Sequence, residues 1–176
     1  DKKWFAKKFK DAQAKRDVFG YGDAGAKGEE TTAYRVIFGE SDGIPGLVVD
    51  RYADAIVIQI STEGIENLKS EIIDALKTTF KPRIIIERSD IQSRHEEGLK
   101  EFKGVLYEAQ VAKTAKAETK VKAGTAKATT TKKSKASGSA SKVSLPETST
   151  KASSTLVTFQ ENGITFEADL LEGQKT

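Results

Sequence analysis

Residues 34–52 read YRVIFGESDGIPGLVVDRY, and this stretch decides the fold. Two runs rich in Val and Ile flank two turn signals, Asp42-Gly43 and Pro45-Gly46. Each glycine supplies the positive φ that a tight turn needs. The pattern predicts strands over Ala33–Gly39 and Leu47–Tyr52, with a third over Ala55–Ser61 after a short turn at Asp54.

Downstream, the spacing predicts one helix over Thr62–Lys81. Thr62 is the expected N-cap, and Glu63 and Glu66 lie where the helix dipole favours negative charge. Ile65, Leu68, Ile72, Leu76 and Phe80 form an apolar stripe, and Pro82 stops the helix. Burying that stripe contributes about 7–15 kcal/mol before entropy is subtracted, so it needs a sheet to cover. Arg83–Glu87 (RIIIE) reads as a buried strand, and Ser89–Phe102 as a connection holding a helical turn or two. Leu156–Leu171 reads as a hairpin, because Glu161-Asn162-Gly163 separates two alternating runs. Upstream, Trp4, Phe5, Phe9, Ala12 and Arg16 recur at helical spacing within residues 1–19. Gly20–Gly28 (GYGDAGAKG) is a glycine-rich linker, since a phosphate loop needs a strand before it and a helix after it. The expected class is α+β: a largely antiparallel sheet covered by a long amphipathic helix.

From Val111 to Ser154 the composition changes to Lys, Ala, Thr, Ser and Gly. Ten lysines face only Glu118 and Glu147 there, a charge of +8; the whole chain carries +3, which leaves −5 for the rest. A segment so poor in apolar residues does not offset its backbone entropy, and we expect a disordered basic insert. The expected organisation is a helix over 1–19, a linker over 20–32, an α+β domain over 33–110 and 155–176, and the insert over 111–154. Hydrophobic content of 37% and mean hydropathy of −0.48 agree with a part lying outside the core. No apolar run approaches the roughly 20 residues that cross a bilayer, so we expect no membrane partner and a cytoplasmic location. The chain has no cysteine, which excludes disulfides, thiolate metal sites and a cysteine nucleophile within it. It also lacks methionine and opens with Asp1, from which we expect an internal piece of a longer protein.

Four motifs, in order, resemble a family of S-adenosylmethionine-dependent large-subunit (23S) ribosomal RNA cytosine-5 methyltransferases. They are WFAKKFKDAQAKRD (4–17), YRVIFGESDGIPGLVVDRYAD (34–54), IIIERSD with Arg94 and EEGL (84–99), and ENGITFEADLLEGQKT (161–176). In that family a PUA domain comes first and a Rossmann-like catalytic domain last. The resemblance implies that this chain is the central domain, preceded by the helix that leaves the PUA domain and truncated before the catalytic domain. It implies S-adenosylmethionine as cofactor of the parent protein, ribosomal RNA as partner and a possible homodimer of that parent. It also places Lys175 and Thr176 at the entry to the cofactor domain, as cofactor-binding candidates. The chain departs from the family in three ways: the insert is long, Ala53 replaces a common glycine, and neither cysteine nor a cofactor loop is present. Methylation at carbon 5 of cytosine uses a cysteine that attacks carbon 6. The fragment alone is therefore expected to be inactive, with no catalytic residue of its own.

Glu40, Ser41, Asp42, Asp50 and Arg51 gather around turns, as do Glu87, Arg88, Asp90 and Arg94. Such a mixed set either positions an RNA backbone or braces loops as ion pairs. Arg51, Arg88 and Arg94, with Lys132, Lys133 and Lys135 of the insert, are the RNA-binding candidates. Tyr34 and Tyr52 either stack on bases or pack as half-buried strand ends. His95 stands without a second His or Cys and reads as a surface residue. Two alternatives stay open: a non-enzymatic nucleic-acid-binding protein that uses the Lys-rich arm, and an acid–base enzyme built on Glu87, Asp90 and Glu96.

Overall fold

The computed structural model describes residues 1–22, 31–109 and 155–173. In chain order the elements are α1 (Lys2–Asp17), β1 (Ala33–Phe38), β2 (Leu47–Tyr52), β3 (Ala55–Ile60), α2 (Glu63–Glu66) and α3 (Lys69–Phe80). There follow β4 (Ile84–Ser89), α4 (Ser93–Glu96), β5 (Phe102–Glu108), β6 (Leu156–Glu161) and β7 (Ile164–Asp169). Strands β1 to β5 form one sheet in sequence order. All neighbours are antiparallel except β3 and β4, which the helical crossover makes parallel.

The sheet buries both faces. On β3, Ile56, Ile58 and Ile60 face one core, with Phe5, Phe9 and Ala12 of α1 and Ile72, Ala75 and Leu76 of α3. Ala55 on β3 and Ile84 and Ile86 on β4 face a second core, completed by Val157 and Leu170 beside the hairpin. The molecule is thus layered as helices, sheet and hairpin. The hairpin strands β6 and β7 pair only with each other as strands and lie against the second face of the main sheet. Two anchors hold them there. The Thr32 amide donates to the Gln160 carbonyl at 2.8 Å, and the Asn162 amide donates to Thr31 Oγ1 at 3.0 Å. At the other end Arg88 donates to the Gly173 carbonyl at 2.6 Å.

The 34–52 stretch folds as its turn residues dictate. Gly43 (φ 72°) and Gly46 (φ 82°) are left-handed. A Cβ on Gly46 would lie 2.3 Å from Thr62 Oγ1, so only glycine fits. In β1 a bulge between Arg35 and Ile37 turns the consecutive residues Val36 and Ile37 both inward.

The single long helix expected over Thr62–Lys81 is two helices. The Thr62 hydroxyl makes no capping bond, because that side chain lies against Gly46. At the break Leu68 is 36% exposed, and Glu66 pairs with Lys69 and with Arg94. The apolar stripe nonetheless persists through the buried Ile72 and Leu76, with Ile65 and Phe80 partly buried. Strand β5 was not anticipated. It is an edge strand whose Phe102 and Val105 are both exposed, so it carries no clear alternation. The basic segment expected to be disordered, residues 111–154, lies outside the described residues, as does most of the glycine-rich linker (23–30).

Candidate nucleic-acid interface

The charged residues singled out from the sequence separate onto three parts of the molecule. At one end, Arg16 of α1 clamps Asp42 through two bonds, NH1 to Oδ1 at 2.9 Å and NH2 to Oδ2 at 2.7 Å. Asp42 also accepts the Phe38 amide at 2.9 Å, which closes the turn after β1. Burial pushes the Asp42 carboxyl up, but these donors and Lys15 outweigh it and hold the carboxyl below its usual range.

The second set is internal. Glu87 is fully buried; its Oε1 accepts from Ser89 Oγ at 2.7 Å, and its Oε2 lies 3.0 Å from Lys69 Nζ. Arg94 is 3% exposed. Its NH1 donates to the Ile60 carbonyl at 2.8 Å and to Glu66 Oε2 at 3.1 Å, and its Nε donates to the Lys100 carbonyl at 2.8 Å. Burial raises Glu66, yet hydrogen bonds from Lys69 and Arg94 leave its carboxyl below the ordinary value. This network braces the loop around α4 against β3 and β4. The expectation that Arg94 is a surface contact for RNA is corrected: a guanidinium buried on two carbonyls and two carboxylates is an internal brace. The acid–base reading of Glu87 meets the same obstacle, because a fully buried carboxylate locked to Ser89 and Lys69 meets no substrate. His95 is exposed and lies 3.2 Å from Glu101.

The third set lines a cleft of about 310 Å³ between the hairpin and the second face of the sheet. Arg35, Asp50, Tyr52, Gln59, Arg88, Phe159 and Asp169 surround it. Arg35 forks onto Asp50, with Nε to Oδ1 at 2.7 Å and NH2 to Oδ2 at 3.1 Å. Asp50 accepts both bonds, which raises the Arg35 pKa and holds the guanidinium charged. Tyr52 and Phe159 meet edge to face, with centroids 5.3 Å apart, and Phe159 stacks on Phe166 at 5.8 Å. Burial, aided by Asp50, pushes the Tyr52 phenol up. A separate cavity beside it is lined by Ala33, Tyr34 and Glu161 and shares Arg35, Asp50, Tyr52 and Phe159.

Of the arginine candidates, Arg88 alone lines this cleft. Arg51 turns to the helix side, where NH1 donates to the Tyr34 hydroxyl at 3.3 Å and Nε to the Ala53 carbonyl at 2.9 Å. Lys132, Lys133, Lys135, Lys175 and Thr176 lie outside the described residues. Sequence reasoning missed Arg35, Gln59 and Phe159. Arg35 and Asp50 are register partners on β1 and β2, a signal visible in alternation alone; Phe159 becomes a wall only when the hairpin folds over.

The fold is shared with part of two larger solved structures. A candidate SAM-dependent methyltransferase from Streptococcus mutans superposes with a TM-score of 0.57 at 17% identity, covering 98% of this chain and 31% of that one. A second candidate methyltransferase, complexed with SAH, gives 0.57 at 18% identity, over 99% and 31%. At this identity the likeness is one of fold. The sequence relatives are more particular. The chain is 42% identical over 107 residues to the ribosomal RNA large subunit methyltransferase I of Aliivibrio fischeri (strain MJ11), covering 61% of this chain and 26% of that protein. It is 43% identical over 107 residues to the protein of the same name from Aeromonas hydrophila, over 61% and 25%. The chain thus spans about a quarter of the length of the curated relatives it matches. No family model matches it. Among the described residues, no helix is long and apolar enough to cross a membrane.

Proposed function

We propose that this chain is the RNA-positioning part of an enzyme that transfers a methyl group from S-adenosylmethionine to carbon 5 of a cytosine in 23S ribosomal RNA. The observation that carries the reading is the identity above 40% with ribosomal RNA large subunit methyltransferases I. In this reading residues 33–110 and 155–176 form a central domain, and α1 leads into it from a PUA domain. The thiolate used at carbon 6 is not among these 176 residues, so the chain's own work is to bind and orient. Arg88 at the cleft, Arg51 and the lysines at 132, 133 and 135 are the proposed RNA contacts. Lys175 and Thr176 are proposed to adjoin the cofactor domain. The protein acts in the cytoplasm.

The test is to delete the gene and map 5-methylcytidine in large-subunit RNA by mass spectrometry. Loss of one modified site, restored by the intact gene, is the expected result; an unchanged methylation map refutes the proposal. A second reading, a non-enzymatic nucleic-acid-binding protein, is favoured by the +8 charge of residues 111–154. It predicts an unchanged map, and loss of both RNA affinity and its salt dependence when that segment is deleted.

A further inference from the structure

We propose that the cleft between sheet and hairpin seats one unstacked nucleobase of a single-stranded RNA segment. Tyr52 and Phe159 form the apolar wall, and the Arg35–Asp50 pair and Gln59 form the polar edge. The inference deepens the RNA reading above and rests on it.

Three properties of the cleft select a base. The first is size: about 310 Å³ lies at the lower end of ligand sites, too small for a duplex and sufficient for one planar heterocycle. The second is chemistry. Tyr52 and Phe159 meet edge to face and are partly buried, so ring surface borders a cavity that also presents an amide and a guanidinium–carboxylate fork. Sequence-specific RNA recognition uses this combination, with aromatic faces for stacking and mixed donors and acceptors for the base edge. Asp50 engages Nε and NH2 of Arg35 and holds the guanidinium plane in place.

The third property is charge. The lining holds two guanidinium groups, Arg35 and Arg88, and two carboxylates, Asp50 and Asp169. A balanced site does not attract a row of phosphates, which need uncompensated cations. It accommodates a neutral ring whose edge both donates and accepts. The hairpin that makes the wall is fixed at both ends, by Thr31 and Thr32 at its tip and by Arg88 beyond β7. The seat is therefore formed before RNA arrives, and binding has little loop entropy to overcome.

The experiment uses the whole 176-residue chain with a short unstructured RNA, the same strand carrying one abasic site, and free nucleoside monophosphates as competitors. Phe159→Leu keeps apolar bulk against Tyr52 and removes the ring. It should weaken binding of the intact strand roughly tenfold without altering the salt slope, since base–aromatic stacking is sequence-tolerant and involves no phosphate. On the strand whose seated base is missing, the variant and the unaltered chain should bind equally. If Phe159→Leu does not fold by circular dichroism, Tyr52→Leu serves the same comparison. Four results overturn the seat: no binding of the intact strand, no loss in either variant, an equal loss on the abasic strand, or competition by free nucleoside monophosphates as strong as by the strand. The last marks a small-molecule pocket. The assay is independent of methylation, so a failed seat with a changed methylation map leaves the enzyme reading standing. An intact seat with an unchanged map leaves only RNA binding.

Discussion

Replacing Arg94 by lysine tests whether the buried network is a brace or a binding surface. In the native chain one guanidinium serves both the Ile60 and Lys100 carbonyls at 2.8 Å and Glu66 at 3.1 Å, and it lies 3.7 Å from Glu87. A lysine ammonium is a single point of charge and does not span Ile60 and Lys100 together. At least one buried carbonyl loses a charged donor, a loss of about 1.5–3 kcal/mol. The shorter reach also weakens the pairing with Glu87 and Glu66, which brings the expected destabilisation to about 2–4 kcal/mol. Arg94→Ala should reach about 3–5 kcal/mol, because it leaves fully buried Glu87 with Lys69 to balance its charge. The assay is urea unfolding of the whole chain followed by circular dichroism. With a slope of about 1.5 kcal/mol per molar, the lysine variant should unfold roughly 1.3–2.7 M earlier. A midpoint within about 0.3 M of the unaltered chain, together with a large fall in RNA affinity, would refute the brace and restore Arg94 as a contact.

Two further outcomes follow from local geometry. Ala53 holds φ 51° in the turn between β2 and β3, a conformation that costs an L-residue about 1–2 kcal/mol. Glycine removes that strain but adds about 0.4–1 kcal/mol of unfolded-state entropy. Ala53→Gly should therefore be more stable by about 0.5 kcal/mol in urea, and a variant less stable than the parent contradicts the strain. Acid should also unfold the protein through Asp42 and Glu66. Each has a folded pKa below its unfolded value, so its contribution is present above the ordinary carboxylate range and lost as pH falls through the lowered value. Stability should be level near neutrality and decline below about pH 4. In Asp42→Asn it should start lower and decline less, and parallel curves for variant and parent would contradict the assignment.

Local chemistry was legible where a backbone conformation admits few residues. Gly43 and Gly46 take the positive φ their turns require, and Asn162-Gly163 closes the hairpin between Leu156–Glu161 and Ile164–Asp169. The all-β-branched run at Ile84–Ile86 announced a strand buried on both faces. Less was legible where a neighbour decides. Thr62 is a good cap by type, yet the approach of Gly46 takes its side chain elsewhere and the helix breaks at Leu68. The edge strand β5 escaped notice because an edge needs little apolar surface.

What the sequence by itself determined is most of the elements, β5 and the helix break at Leu68 excepted, and the likeness to ribosomal RNA methyltransferases. Turn conformations and strand propensities are properties of a few adjacent residues, and the motifs are strings. Tertiary structure alone decided which charges meet. Residues 35, 50, 88, 159 and 169 converge on one cleft, while Glu87 and Arg94, similar in kind, are sealed inside. The physical reason is that a strand sends successive side chains to opposite faces and a bulge reverses that assignment. Which face becomes a core, a brace or an open cleft depends on what packs over it, and packing is set by contacts between residues distant in the chain.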